Sequence, residues 1–188
     1  MTPEQATAAI KKKLAELERF RHEDVPDIIG TEAVRHYNQS FVNEGATDQS
    51  LKKWDDVKRR DPGSEWYGFS LGANTQNPNK KPVEAHGGAP KNKKPGKTNF
   101  SPTRTKDKIL TGETNELKNA TKYVKKADRV TVLNDKPYAH VHNFGGQAYV
   151  FGKKAFNMKA RPFIYPSSAL NKTIHDKIKK EIEKIKKQ

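Results

Sequence analysis

Between residues 74 and 106 the chain all but loses its branched apolar side chains, and that gap dictates what the remainder can fold into. The stretch runs Asn77-Pro-Asn-Lys-Lys-Pro82 and then Gly87-Gly-Ala-Pro-Lys-Asn-Lys-Lys-Pro-Gly-Lys97. It has too little apolar surface to offset the entropy of ordering a backbone, ~1–2 kcal/mol per residue. It reads as a long basic loop. A domain must then be assembled from 25–73 and 107–188, with 1–24 as a helical extension in front. A structureless insertion of this length inside a compact domain usually serves as a contact.

Composition points the same way. Only 32% of the 188 residues are hydrophobic, below the usual globular share, so much of the surface is solvated or ordered against neighbours. Lys and Arg number 37 against 22 Asp and Glu, a net charge of +15. A field of that sign favours phosphate backbones, anionic lipid or acidic protein surfaces and says nothing about fold. The chain has no cysteine, which excludes disulfides, thiolate zinc sites, iron–sulfur clusters and cysteine nucleophiles. Met1-Thr-Pro-Glu-Gln lacks the pattern of a secretory leader, and no run approaches the ~20 apolar residues that span a bilayer. The expectation is a protein made in the cytoplasm, in solution, without membrane contact.

Periodicity supplies the elements. Ile10, Leu14, Leu17 and Phe20 recur at helical spacing behind Pro3 and Glu4, with Lys11 to Lys13 mostly on the solvated side. His22-Glu-Asp-Val-Pro26 predicts a break, with Asp24 as the next N-cap. Val25, Ile29, Ala33, Tyr37 and Phe41 then form a four-residue stripe, and Gly45 is expected to supply the left-handed stop. Trp54, Trp66, Tyr67 and Phe69 are aromatics in a polar stretch that need something to pack on. Lys118–Val124 and Val130–Leu133 predict a hairpin, Tyr138 a short helix, and Gln147–Phe151 a further strand. Arg161-Pro-Phe-Ile-Tyr-Pro166 is extended, and Ser167 or Ser168 caps a final helix striped by Leu170, Ile174, Ile178, Ile182 and Ile185. The class is α+β: a small antiparallel sheet packed by N- and C-terminal helices.

Candidate chemistry is sparse. His140 and His142 would share one face, and so could chelate a metal, if they lay on a strand. A third ligand at suitable spacing is missing, and local hydrogen bonding and packing is the simpler reading. Glu113, Glu116, Asp128 and Asp135 fall in turn-like sequence where carboxylates stay solvated. No nucleophile elbow, phosphate-cradling glycine loop or His-Glu-x-x-His is present. No enzyme activity, cofactor or metal is expected. In the basic loop Lys80, Lys81, Lys91, Lys93, Lys94 and Lys97 are candidate contacts for DNA phosphates or for an acidic partner.

Four features together resemble a known family. They are Phe41-Val-Asn-Glu-Gly45 followed by Trp54, then Ile109-Leu110 with Thr114-Asn-Glu-Leu117, then Tyr138-Ala-His-Val-His-Asn-Phe-Gly-Gly146, and finally Ala160-Arg-Pro-Phe-Ile-Tyr165. The chain from about Val25 onward resembles the phage virion morphogenesis family, the tail-completion or Mu-type G proteins of tailed phages. The matching positions are Tyr138, Ala139, His142 and Gly145 in the third feature and Arg161, Pro162 and Phe163 in the fourth. Where the family prefers Thr-Gly this chain has Thr114-Asn115, and Asn tolerates the positive φ of such a turn.

The resemblance implies a non-catalytic subunit of the virion neck or tail end, assembled in the host cytoplasm as a homo-oligomeric ring. Its partners would be neck, portal or adaptor, and tail proteins, with non-specific contact to packaged DNA. Trp54 and the seven matching positions would then define fold and assembly. The rival reading is a basic nucleic-acid-binding protein that grips the phosphate backbone without sequence preference. A metal-dependent nuclease using His140 and His142 is a distant third.

Overall fold

The computed structural model describes residues 2–64, 66–68, 102–112, 114–127, 129–150 and 154–187. It is an α+β fold. The expected basic loop, including its six candidate lysines, lies outside the described residues apart from 102–106, where Pro102–Thr105 form a 3-10 turn.

The chain opens with α1 (Pro3–Arg19), whose N-terminus carries a capping box. Thr2 accepts from the Gln5 amide at 3.3 Å, and the Gln5 side chain accepts from the Thr2 amide at 3.0 Å. The break expected at 22–26 does not occur. Phe20–Asp24 widen into a π-helical turn, with the Val25 amide donating to the Phe20 carbonyl, and α2 (Val25–Asn43) follows without interruption. Asp24 makes no capping bond. Proline has no amide to give and its ring crowds the carbonyl four residues back, so an extra residue in the turn before Pro26 relieves a conflict that would otherwise kink the helix.

Helix α2 stops at Glu44, which itself takes the left-handed conformation (φ 53°) predicted for Gly45. Its carboxylate explains why. Glu44 accepts from Arg60 at 2.5 and 3.2 Å and from the Ile109 amide at 2.6 Å. These three bonds outweigh the modest strain of a non-glycine αL residue. Asn115 also takes a positive φ, 55°.

Among the described residues the small antiparallel sheet structure is divided into three two-stranded pairs. β1 (Gly45–Thr47) pairs with β2 (Leu51–Lys53), β3 (Thr121–Lys126) with β4 (Arg129–Asn134), and β5 (Gly146–Val150) with β6 (Lys154–Met158). The second hairpin starts three residues later than predicted, because Glu116–Asn119 form a helical turn, α3, that carries Leu117 into the core. Helix α2 packs on β3, β4, β1 and the C-terminal helix α5 (Ser168–Lys187). The Tyr123 ring packs closely against Gly30, and its hydroxyl donates to Asp27 at 2.9 Å. Ser167 caps α5 by accepting from Leu170 at 3.2 Å, and Asp48 reinforces that end by accepting from Ser167, Ser168 and the Ala169 amide. Glu32, buried on α2, is held by Lys177 of α5 and by Arg35.

The core is small and aromatic: Phe41, Trp54, Ile109, Leu117, Ala139 and Phe163, with Val57, Leu110 and Ile164 against it. The chain flanking 69–101 is tied on both sides to one residue. The Gly68 amide donates to the Arg59 carbonyl at 2.8 Å, while the Arg59 guanidinium donates to the carbonyls of Arg104, Asp107 and Lys108 at 2.8–3.2 Å.

A β-carbon on Gly30 would overlap the Tyr123 ring. Gly30→Ala should therefore destabilise by about 1–3 kcal/mol through overpacking. Denaturant unfolding checks this, and the cost should shrink when Tyr123 is Ala.

Candidate assembly site

The eight sequence-predicted positions converge on one joint, where the short helix α4 (Ala139–Phe144) meets the extended segment 161–165. Ala139 and Asn143 are one helical turn apart and both are buried. Ala139 closes the aromatic core. Asn143 is the residue that the sequence reading passed over, although a polar side chain four residues after a buried alanine must find partners. Its Oδ1 accepts from the amides of Phe163 at 2.8 Å and Ile164 at 2.9 Å, and its Nδ2 donates to the Ile164 carbonyl at 3.0 Å. One carboxamide thus stands in for a missing β-ladder.

The other bonds fix the same segment. The Arg161 amide donates to the His142 carbonyl at 2.7 Å. The Arg161 guanidinium, 7% exposed, donates to the Asp55 carbonyl at 3.1 and 3.2 Å and to that of Asp56 at 3.4 Å. Burial lowers its pKa, with the carboxylates of Asp55 and Asp56 opposing that shift. Trp54 donates from its indole nitrogen to the Pro162 carbonyl at 3.0 Å. Phe163 is 1% exposed, with its ring 5.2 Å from Phe41, which in turn lies edge-on to Trp54 at 5.8 Å. Arg161, Pro162 and Phe163 therefore each contribute a different kind of bond.

Gly145 is required by space and by conformation. Its φ is +73°, and a β-carbon would come within 2.9 Å of the Met158 carbonyl and the Ala160 amide. Tyr138 sits at the rim, with its hydroxyl donating to Glu116 at 3.3 Å.

His142 is half-buried beneath the edge of the Tyr138 ring, and its Nδ1 has no partner among the described residues. The hydrogen bond expected of this ring is not made at that nitrogen. Burial pushes its pKa down, and the nearby Arg161 pushes it further. His140 and His142 lie two apart on a helix and so face different ways. His140 packs on Phe144 at 4.9 Å. Among the described residues no three His, Cys, Asp or Glu side chains gather as a metal site.

From this joint the β5–β6 hairpin extends. Register pairs Ala148 with Phe156 and Tyr149 with Ala155, so the two aromatics lie on opposite faces. Both are exposed, Tyr149 at 61% and Phe156 at 39%, and Phe144 at the hairpin's base is 68% exposed. β6 and these aromatics were not foreseen, since 154–158 is short and flanked by lysine. No family model, curated protein or solved structure matches the chain.

Two measurements address the joint. Asn143→Ala strands two amides and a carbonyl and should cost roughly 2–5 kcal/mol, read by thermal or denaturant unfolding. His142 is the less basic when folded, so the unfolded chain binds the extra proton and stability rises with pH. Stability should accordingly fall as pH drops from 7 through the ordinary histidine range near ~6.5. His142→Gln should flatten that slope, the remainder belonging to His36, whose pKa burial also lowers.

Proposed function

We propose that this protein is a non-catalytic structural subunit of a tailed-phage virion, a neck or tail-completion protein that forms a homo-oligomeric ring at the head–tail junction. The observation that carries the reading is the rigid joint bearing a bare aromatic hairpin. A two-stranded hairpin is marginally stable by itself. Tyr149 and Phe156 on its two faces, with Phe144 at its base, leave large rings in water, which is the profile of a surface awaiting a partner. The joint below it spends its polar groups on holding backbone: Asn143, Arg161 and Trp54 all bond main-chain atoms. That arrangement positions a protrusion, and these three side chains are occupied in doing so.

Ring closure follows if the hairpin of one copy docks on a different surface of the next, a head-to-tail contact that repeats until it closes. The same joint contains every position at which the third and fourth sequence features resemble the virion morphogenesis family. Neck, portal or adaptor, and tail proteins are the partners that this reading assigns.

The expected result is a concentration-dependent oligomer in light scattering. Phe144→Ser, Tyr149→Ser and Phe156→Ser together should leave a monomer with an unchanged circular-dichroism spectrum. Electron microscopy of virions should place the subunit at the head–tail junction. A wild-type chain that stays monomeric at every concentration, or density only elsewhere in the particle, rejects the reading.

A further inference from the structure

The chain leaves a second apolar surface uncovered, far from the hairpin. Helix α1 buries no side chain. Ile10 is 68% exposed and Leu14 56%, one turn apart on one face, and Glu18 follows one turn further on. Glu18 is exposed and forms no ion pair with a described residue. The capping box, the bond from Lys13 to the Lys186 carbonyl and the unbroken run into α2 hold α1 in place. None of them needs apolar residues at 10 and 14.

The hairpin has one apolar face and one more polar face. Alternation puts Ala148, Phe156 and Met158 on the first, and Gln147, Tyr149 and Asn157 on the second. Along the first face β6 reads Met158, Phe156, Lys154, every second residue, a spacing of ~6.8 Å. Along α1 the order is Ile10, Leu14, Glu18, every fourth residue, a spacing of ~6 Å. Two apolar positions and a cation thus match two apolar positions and an anion.

These two surfaces do not meet within one chain. The hairpin springs from the joint at Phe163, which packs on Phe41 in the last turn of α2. Leu14 lies about 40 Å from Phe41 along the continuous run of α1, the π-helical turn and α2, at ~1.5 Å per residue. Each five-residue strand of the hairpin reaches only ~17 Å.

We propose that the apolar face of one copy's hairpin docks along α1 of the next copy, with Met158 over Ile10, Phe156 over Leu14 and Lys154 opposite Glu18. The inference rests on the ring reading and names the receiving surface of its head-to-tail contact. Each copy offers one hairpin and one arm, so the contact repeats from copy to copy.

The chain has no cysteine, so introduced thiols report without background. Glu18→Cys and Lys154→Cys proteins, each with an unchanged melting curve, are mixed and oxidised at a concentration where light scattering shows the wild type to oligomerise. The mixture should give disulfide-linked dimers, and each variant by itself none. In a second arm, Glu18→Lys or Lys154→Glu alone should raise the concentration for half-assembly by about fivefold. Both reversals in one chain should return it to near the wild-type value. Cross-linked dimers from a single variant would place α1 on α1 or hairpin on hairpin and overturn the proposal. Wild-type oligomers without the mixed cross-link, or assembly unmoved by either reversal, overturn it while the ring reading stands. A wild-type chain that stays monomeric rejects the ring reading, and this contact with it.

Discussion

The side chain of Asn143 does in this protein what a third strand would do in a larger sheet. Segment 161–165 carries Phe163, the centre of the aromatic core, yet it pairs with no strand among the described residues. Its amides and a carbonyl would be left without partners in a half-dry interior, and each such group costs ~1–3 kcal/mol. The carboxamide satisfies three of them at once. Because Asn143 rides on α4, the same bonds fix α4 against the core and aim the β5–β6 hairpin that follows it. Phe163 then brings Phe41 and Trp54 together, and through them α2 and the segment after β2.

A core this small has to be supplemented by polar clamps, and the charge pattern shows where they act. Glu44 ends α2, draws in Arg60 and receives the Ile109 amide, joining three distant stretches of chain at one carboxylate. Burial alone would raise the Glu44 pKa, but Arg60 and the Ile109 amide bring it below the usual value. Glu32 repeats the device between α2 and α5. Paired charges of this kind contribute less by net energy than by orientation, since breaking one strands its partner.

Much of the architecture was legible in the sequence where one face of one element decides the matter. The stripes of α2 and α5, the Ser167 cap, the short helix at 139–144 and the extended Arg161-Pro-Phe stretch are all of that kind. What was not legible depends on meetings between distant residues. Nothing local to Glu44 says that it will take the conformation expected of Gly45; Arg60 and Ile109 decide that. The π-helical turn looks like a break in sequence because Pro26 signals a stop when read alone, while the extra residue accommodated at Phe20–Asp24 lets the helix run on. β1, β2 and β6 are too short and too polar to show an alternating pattern. Asn143 could have been singled out from its spacing to Ala139, but its partners lie some twenty residues downstream. Lys13 of α1 reads as part of a solvated face until the fold brings it to the Lys186 carbonyl of α5.

The twin posts at Arg59 have a consequence for how this chain can change over generations. Gly68 leaves from the Arg59 carbonyl, and the chain returns at residues whose carbonyls the Arg59 side chain grips. A segment whose two ends are fixed side by side can be lengthened cheaply, since doubling it adds only ~0.6 kcal/mol of closure entropy. The two posts thus act as a socket: Arg59 holds both ends by its own bonds, and none of those bonds involves the joint at Asn143. Related chains could diverge almost completely there and still present the same hairpin.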